Sequence, residues 1–309
     1  MVKAPARKGL LRDLSRDYQI YLLMLPALIY FAVFCYYPML GVQIAFKEFK
    51  AVDGIWGSPW VGLAQFERFF KSYQAKTIIS NTLEISLYQL VAGFPMPILL
   101  ALLINQLSSR GFKRTLQTIT YAPHFVSVPA VAGLILIVLS PSSGGVFYSV
   151  IQALTGGQVA VPMGKPGWFS SIFVISHIWQ HCGWDAIIYI AALTAISPDL
   201  YEAAEIDGAG KLQKIWYIDI PSILPTAIII LILNSGRIMS VGFEKVLLLQ
   251  NASNLPRSEI ISTYVYKSGL ISSEYSYSTA INLFNSVINL VLITAVNFIA
   301  GRASDISIW

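Results

Sequence analysis

His177, His181 and Asp185 follow one another at steps of four, so a helix through them carries all three on one face. Two imidazoles one turn apart with a carboxylate a turn further on form a pattern that can bind zinc. The zinc-protease version needs a glutamate directly after the first histidine, and His177-Ile178-Trp179-Gln180-His181 has isoleucine there. We therefore expect no metal, and expect these groups to hydrogen-bond inside a bundle or to line a wet cavity. Phosphate cradling needs Gly, four residues, Gly-Lys and then Ser or Thr. The nearest match, Gly164-Lys165-Pro166, has Val159 in the first glycine position and proline in place of the hydroxyl. The sequence thus offers no catalytic residues and no nucleotide site of its own.

A third constellation is compact and charged. Glu202-Ala203-Ala204, then Gly208, then Ile218-Asp219-Ile220-Pro221 stand between two long apolar runs. Ser197 can cap a helix, Pro198 suits its first position, and Asp199 and Glu202 sit near its positive end. Ala203 and Ala204 are strong helix formers whose small side chains let another surface approach closely. Glu202, Glu205 and Asp207 offer that surface charge. Gly208 and Gly210 break the helix, glycine being at ease in the left-handed region. A second helix is expected over Lys211–Ile220, stopped by Pro221.

The elements that position these groups follow from hydropathy. Of 309 residues 55% are hydrophobic and 12% charged, against about 25% charged in an average soluble domain. Mean hydropathy is +0.63. Several runs reach the roughly 20 apolar residues that cross a bilayer as helix. They are continuous rather than alternating, so the fold class is an all-α membrane protein. Six spans are expected near 19–46, 77–106, 115–140, 168–196, 221–248 and 276–301. Gly93-Phe94-Pro95-Met96-Pro97 and Pro123, Pro129 and Gly133 interrupt the second and third, as in bundles that bend. Gly236 and Ser240 form a small-residue face in the fifth.

Charge assigns the sides. Lys and Arg are dense at the N-terminus, in the 107–114 loop and in the 197–220 loop, and this side reads as cytoplasmic, with both termini. The basic residues mark topology rather than nucleic-acid binding. The basic start precedes a first helix too long to be a cleaved leader. Residues 1–18 read as a cytoplasmic, weakly amphipathic segment, 19–301 as the membrane domain with a loop at 197–220, and 302–309 as a cytoplasmic tail. A short interfacial helix is expected at 146–154. Cys35 and Cys182 lie in apolar runs as small hydrophobes.

The spacing of Glu202-Ala203-Ala204, Gly208, Ile218, Ile220 and Pro221 resembles the EAA motif of ABC-importer permeases, with Ile220 where leucine is usual. The flanking Tyr201 to Gly210, and Gly57-Ser58-Pro59-Trp60-Val61-Gly62-Leu63 with Phe66, resemble the carbohydrate-uptake, maltose-type branch. The likeness extends from Tyr21 to Trp309 and is nearest to permeases for complex sugars or polysaccharides. It implies the type I importer permease fold, with Glu202, Ala203, Ala204, Asp207, Gly208 and Pro221 in a coupling segment docked in a cleft of an ATP-hydrolysing subunit. It also implies a second homologous permease, two ATP-binding subunits that carry ATP and Mg, an extracytoplasmic sugar-binding protein, and the bacterial inner membrane as location.

Ionisable groups in lipid cost about 2.5–3.5 kcal/mol at a helix centre, so they face the interior. Glu84, Asp185, Arg237, Glu244 and Lys245 are the candidates, with Arg237 near mid-span beside Asn234, and Glu244 and Lys245 snorkelling at the outer end. Trp179, Trp184 and Tyr189 could stack on pyranose faces. Asn282, Asn285 and Asn289 form a stripe that suits either helix contact or a pathway. Arg237 and Lys245 would suit an acidic, uronate-type cargo. Two other readings stay open: an ion-coupled secondary transporter, and a membrane metalloenzyme built on His177, His181 and Asp185.

Overall fold

The computed structural model describes residues 18–140, 145, 149–150, 152–153, 162–304 and 307. Among them the regular elements are helical, and a single isolated bridge joins Lys47 to Trp60. Helix is what lipid requires, since it satisfies each backbone amide within its own segment. Helix α1 (Tyr18–Phe46) is a continuous apolar rod, and the short amphipathic α2 (Ala64–Lys71) follows it. Helix α3 (Tyr73–Asn105) starts where the Ser72 hydroxyl accepts the Ala75 amide at 3.2 Å. Helices α4 (Arg110–Phe125) and α5 (Val128–Leu139) meet at 97°. Pro123 and Pro129 flank that corner, and extended Ser127 turns it.

Helix α6 (Pro166–Thr194) is followed at 70° by α7 (Pro198–Ile206). Then come α8 (Lys211–Ser235), the short α9 (Phe243–Leu249) and α10 (Ile261–Tyr266), and the long α11 (Tyr275–Ser304). Among the described residues four helices are long and apolar enough to cross a membrane, and the passages number six when each bent pair is counted as one.

Three buried clusters hold the bundle. One joins α3, α6 and α8 through Ala101, Ile104, Ala186, Tyr189 and Ile223. A second joins α5, α6 and α9 through Ala132, Phe173 and Val246. A third packs α2, α3, α10 and α11 through Phe69, Ile78, Ile261 and Tyr277. A very close crossing is made by Gly183 of α6, where a Cβ would stand 2.0 Å from the Thr120 carbonyl oxygen of α4. The richest 18-residue stretch of α1 buries none of its residues.

The fifth span differs from the expected 221–248 at both ends. Pro221 does not stop a helix; α8 runs through it from Lys211. The proline ring presses on the carbonyl four residues back, and wide π-type turns at Ile215–Asp219 absorb the misfit. At the other end the apolar run continues but the helix does not. Tight turns close 235–240, with Arg237 N–H bonded to Asn234 C=O at 3.0 Å and Ser240 N–H to Arg237 C=O at 2.8 Å. Arg237 is therefore in a turn rather than mid-span. Gly236 and Ser240 are not a helix face, although Gly236 presses on Ile293 and Ser240 meets Asn289, both on α11. The expected helix at 146–154 falls largely outside the described residues, as do residues 1–17 and most of the tail.

Candidate functional site

Two places in the fold bring polar residues together. The first is a cavity of about 880 Å³ between α3, α6 and the end of α8. Helix periodicity puts His177, His181 and Asp185 on its wall, with Trp184 beside them. Gln89 of α3 pairs with His177 Nε2 at 3.0 Å. His124, at the corner of the α4–α5 pair, approaches His181 with an Nδ1–Nδ1 distance of 3.1 Å and stacks on Trp184 at 4.5 Å between ring centres. The chain's three histidines thus converge. Among the described residues no group of three or more His, Cys, Asp or Glu is placed to hold a metal. The imidazoles bond to each other and to an amide, which suits a polar lining.

Trp184, Asp185, Tyr189, Asn234 and Arg237 border this cavity. Tyr189 is 1% exposed and packed in the apolar cluster, so its ring face is not free to stack as expected. Five further candidates, Glu84, Glu244, Lys245, Asn285 and Asn289, do not line the cavity. Asn289 is helix glue: its Oδ1 accepts the Met239 amide at 3.0 Å and its Nδ2 donates to Ser240 at 3.3 Å. Asn285 is buried, and its Oδ1 has no hydrogen-bond partner among the described residues. Glu244 is exposed. Lys245 does not snorkel; its helix α9 folds back against α5, and the side chain is buried. Glu84 bonds Ser170 at 3.0 Å and Arg257 at 2.8 Å, fastening α3 to α6 and to the Leu255–Ser258 turn.

The second place is the segment from Ser197 to Pro221. Ser197 caps α7 by accepting the Asp199 amide, with Pro198 in the first turn. The helix closes in a full Schellman motif. Ala209 N–H donates to Ala204 C=O at 2.8 Å and Gly208 N–H to Glu205 C=O at 3.0 Å, while Gly208 takes φ +73°. That angle needs glycine. Lys214 Nζ then bonds Glu205 at 2.6 Å across the turn and holds its carboxyl below the usual carboxylate range. Glu202, Ala203, Asp207 and Gly208 are exposed, and so are the apolar Leu200, Ile206, Leu212 and Trp216 around them. Pro221 is exposed at the foot of the segment.

One residue of this segment went unassigned in the sequence. Asp219 is fully buried, and its carboxylate accepts from Tyr201 Oη on α7 and from Gln106 Nε2 at 3.1 Å just past the end of α3. Burial, and then the bond to Asp219, push the Tyr201 hydroxyl up to about 12. Three elements meet on one carboxylate: α7, α8 and the end of α3. The charge of Asp219 inside the motif was the available signal, but its partners lie 18 and 113 positions away.

Residues 93–305 match the family described as binding-protein-dependent transport system inner membrane component. The chain belongs to that family. This permease is 40% identical over 299 residues to Protein LplB of Bacillus subtilis (strain 168), covering 96% of this chain and 93% of the relative. It is also 40% identical over 307 residues to the polygalacturonan/rhamnogalacturonan transport system permease protein YteP of the same organism, covering 99% and 95%. Among solved structures it is similar to a chain of a bacterial alginate ABC transporter in complex with alginate pentasaccharide-bound periplasmic protein. That likeness has TM-score 0.89 and 39% identity over 97% of this permease and 99% of that chain. The all-helical, six-passage importer permease fold expected from the sequence is thus the fold of this protein.

Proposed function

We propose that this chain is one half of the translocation path of an ATP-driven importer for an oligo- or polysaccharide, acidic in class, delivered by an extracytoplasmic binding protein. The observation that carries the reading is the capped, Schellman-closed α7 with Glu202-Ala203-Ala204 on its exposed side. A charged helix on a rigid turn, ringed by exposed apolar side chains, is a surface built to be covered by a partner. The names of the relatives supply the cargo class: one is a polygalacturonan/rhamnogalacturonan permease, and a second similar structure belongs to a transporter importing the acidic polysaccharide alginate.

The proposed assembly pairs this permease with a second, homologous one and with two ATP-binding subunits, where ATP and Mg reside. The Ser197–Pro221 side faces the cytoplasm, together with both termini. Glu202 pairs with a basic residue in the partner's cleft. Closure of the ATP-binding subunits displaces α7. The Asp219 carboxylate passes that displacement to α8 and α3, which border the cavity. Access then alternates between the two sides by rocking of these helices.

The test is copurification with candidate ATP-binding subunits, then saccharide-stimulated ATP turnover in proteoliposomes. Wild type is expected to respond to uronate oligosaccharide only with binding protein present. Glu202→Ala is expected to lose most of that stimulation. Full stimulation of the variant, or uptake by wild type without ATP-binding subunits, overturns the reading.

A further inference from the structure

Lys245 is a buried charged side chain that the arrangements above leave unused. It is 4% exposed, and its Nζ has no hydrogen-bond partner among the described residues. Its neighbours are apolar: Val246 and Leu249 on α9 and Phe173 on α6 form one buried cluster. The Nζ stands 5.7 Å from the Phe173 ring centre. A buried ammonium without a partner is strongly unfavourable, and an aromatic face offsets only part of that. The adjacent Glu244 is exposed and does not pair with it. Helices α5 and α10, packed against α9, carry no ionisable carboxylate.

The cavity lies next to this ammonium. Val241 and Gly242, directly before α9, are part of its wall, as are His177 and His181 of α6. Gly242, three residues before Lys245, has no side chain, and a Cβ there would make an ordinary 3.6 Å contact with Phe173 Cζ. A lysine stem is long and flexible and its three donors turn freely, so the backbone does not fix where the ammonium lies. Arg237, exposed, lines the same cavity, and Asp185 is the one carboxylate among its lining residues.

We propose that Lys245 and Arg237 form a carboxylate-recognition station on the cavity, which takes the uronate units of an acidic saccharide as they pass. The cargo carboxylate supplies the partner that Lys245 lacks within its own chain. This inference rests on the saccharide-import reading.

The test uses the whole reconstituted complex, with permeases, ATP-binding subunits and binding protein. Uptake of alginate pentasaccharide is compared with uptake of its carboxyl-methyl ester, which has the same length without the charge. Wild type is expected to prefer the acid. Lys245→Met is expected to reduce the acid-to-ester ratio about tenfold or more, since one side of a close charge pair is removed. Lys245→Arg is expected to keep most of the preference. In a thermal melt without cargo, Lys245→Met is expected to unfold no earlier than wild type, because an apolar side chain replaces an unpaired buried charge. An unchanged ratio, a Lys245→Met complex that melts several degrees lower, or a wild type indifferent to esterification overturns the station and leaves the import reading standing. A wild type that takes up neither form and shows no saccharide-stimulated ATP turnover removes both.

Discussion

At the scale of single residues, the coupling proposed for the Ser197–Pro221 segment depends on one angle and one carboxylate. Gly208 sits at φ +73°, where a Cβ meets no neighbour but the backbone itself is unfavourable for L residues. Gly208→Val should therefore cost about 1–2 kcal/mol locally and distort the turn, whereas Gly208→Asn should be nearly neutral. Saccharide-dependent ATP turnover of the two complexes separates them. Asp219 is the other determinant. Tyr201→Phe leaves its buried oxygen short of a donor, a penalty of about 1–3 kcal/mol. We expect this variant to assemble and to hydrolyse ATP, but to import less cargo per ATP than wild type. An unchanged ratio of cargo to ATP would dismiss the transmission role. Capping and turn chemistry are local in sequence, so Ser197, Pro198 and Gly208 were readable directly. The partners of Asp219 were not, because nothing in a linear pattern places Gln106 beneath Tyr201.

At the scale of elements, packing is decided where backbones touch. Gly183 lets α6 cross α4 with almost no gap, and the atom a Cβ would strike is a backbone carbonyl that cannot move alone. Gly183→Leu should force the helices apart and destabilise the permease by about 1–3 kcal/mol, with Gly183→Ala a milder version of the same change. Melting of the purified complex in detergent measures it. The corner between α4 and α5 carries His124 to His181, so the same variant should also disturb the histidine cluster. Hydropathy located each apolar passage, because roughly 20 residues of helix are needed wherever lipid is crossed. It misplaced the ends of α8, since the hydrophobic run outlasts the helix at Gly236 and the polar run before Pro221 is already helical. Apolar character and helical hydrogen bonding are different quantities, and they part company there.

At the scale of the whole molecule, the two cysteines report on opposite surroundings. Cys182 borders the cavity and is partly exposed, whereas Cys35 is exposed on α1, the rod with no cover from its own chain. In membranes, a charged thiol reagent should modify Cys182 at a rate that changes with nucleotide state, at least about threefold between nucleotide-free and ATP-trapped complexes if access alternates. Cys35, on a lipid-facing or partner-facing surface, should stay unmodified in both. Equal labelling of Cys182 in the two states would argue against alternating access at this wall. The global arrangement was legible as a bundle of bent spans. The cavity was not, because it is assembled from residues as distant as Gln89 and Arg237, and each looks like an ordinary helix polar group when read alone.

The wide turns at Ile215–Asp219 imply an unusual tolerance. A π segment holds one residue more than an α-helix needs to bring the following side chains to the same bearing. Excising a single residue there should let the rod rewind to regular α geometry, with Ile223 and Ala227 still aimed at their neighbours. The same excision further along, between Ile228 and Leu233, would instead swing the rest of the rod by about 100°. In related chains, gaps of one position in this helix are therefore expected to gather at the wide segment.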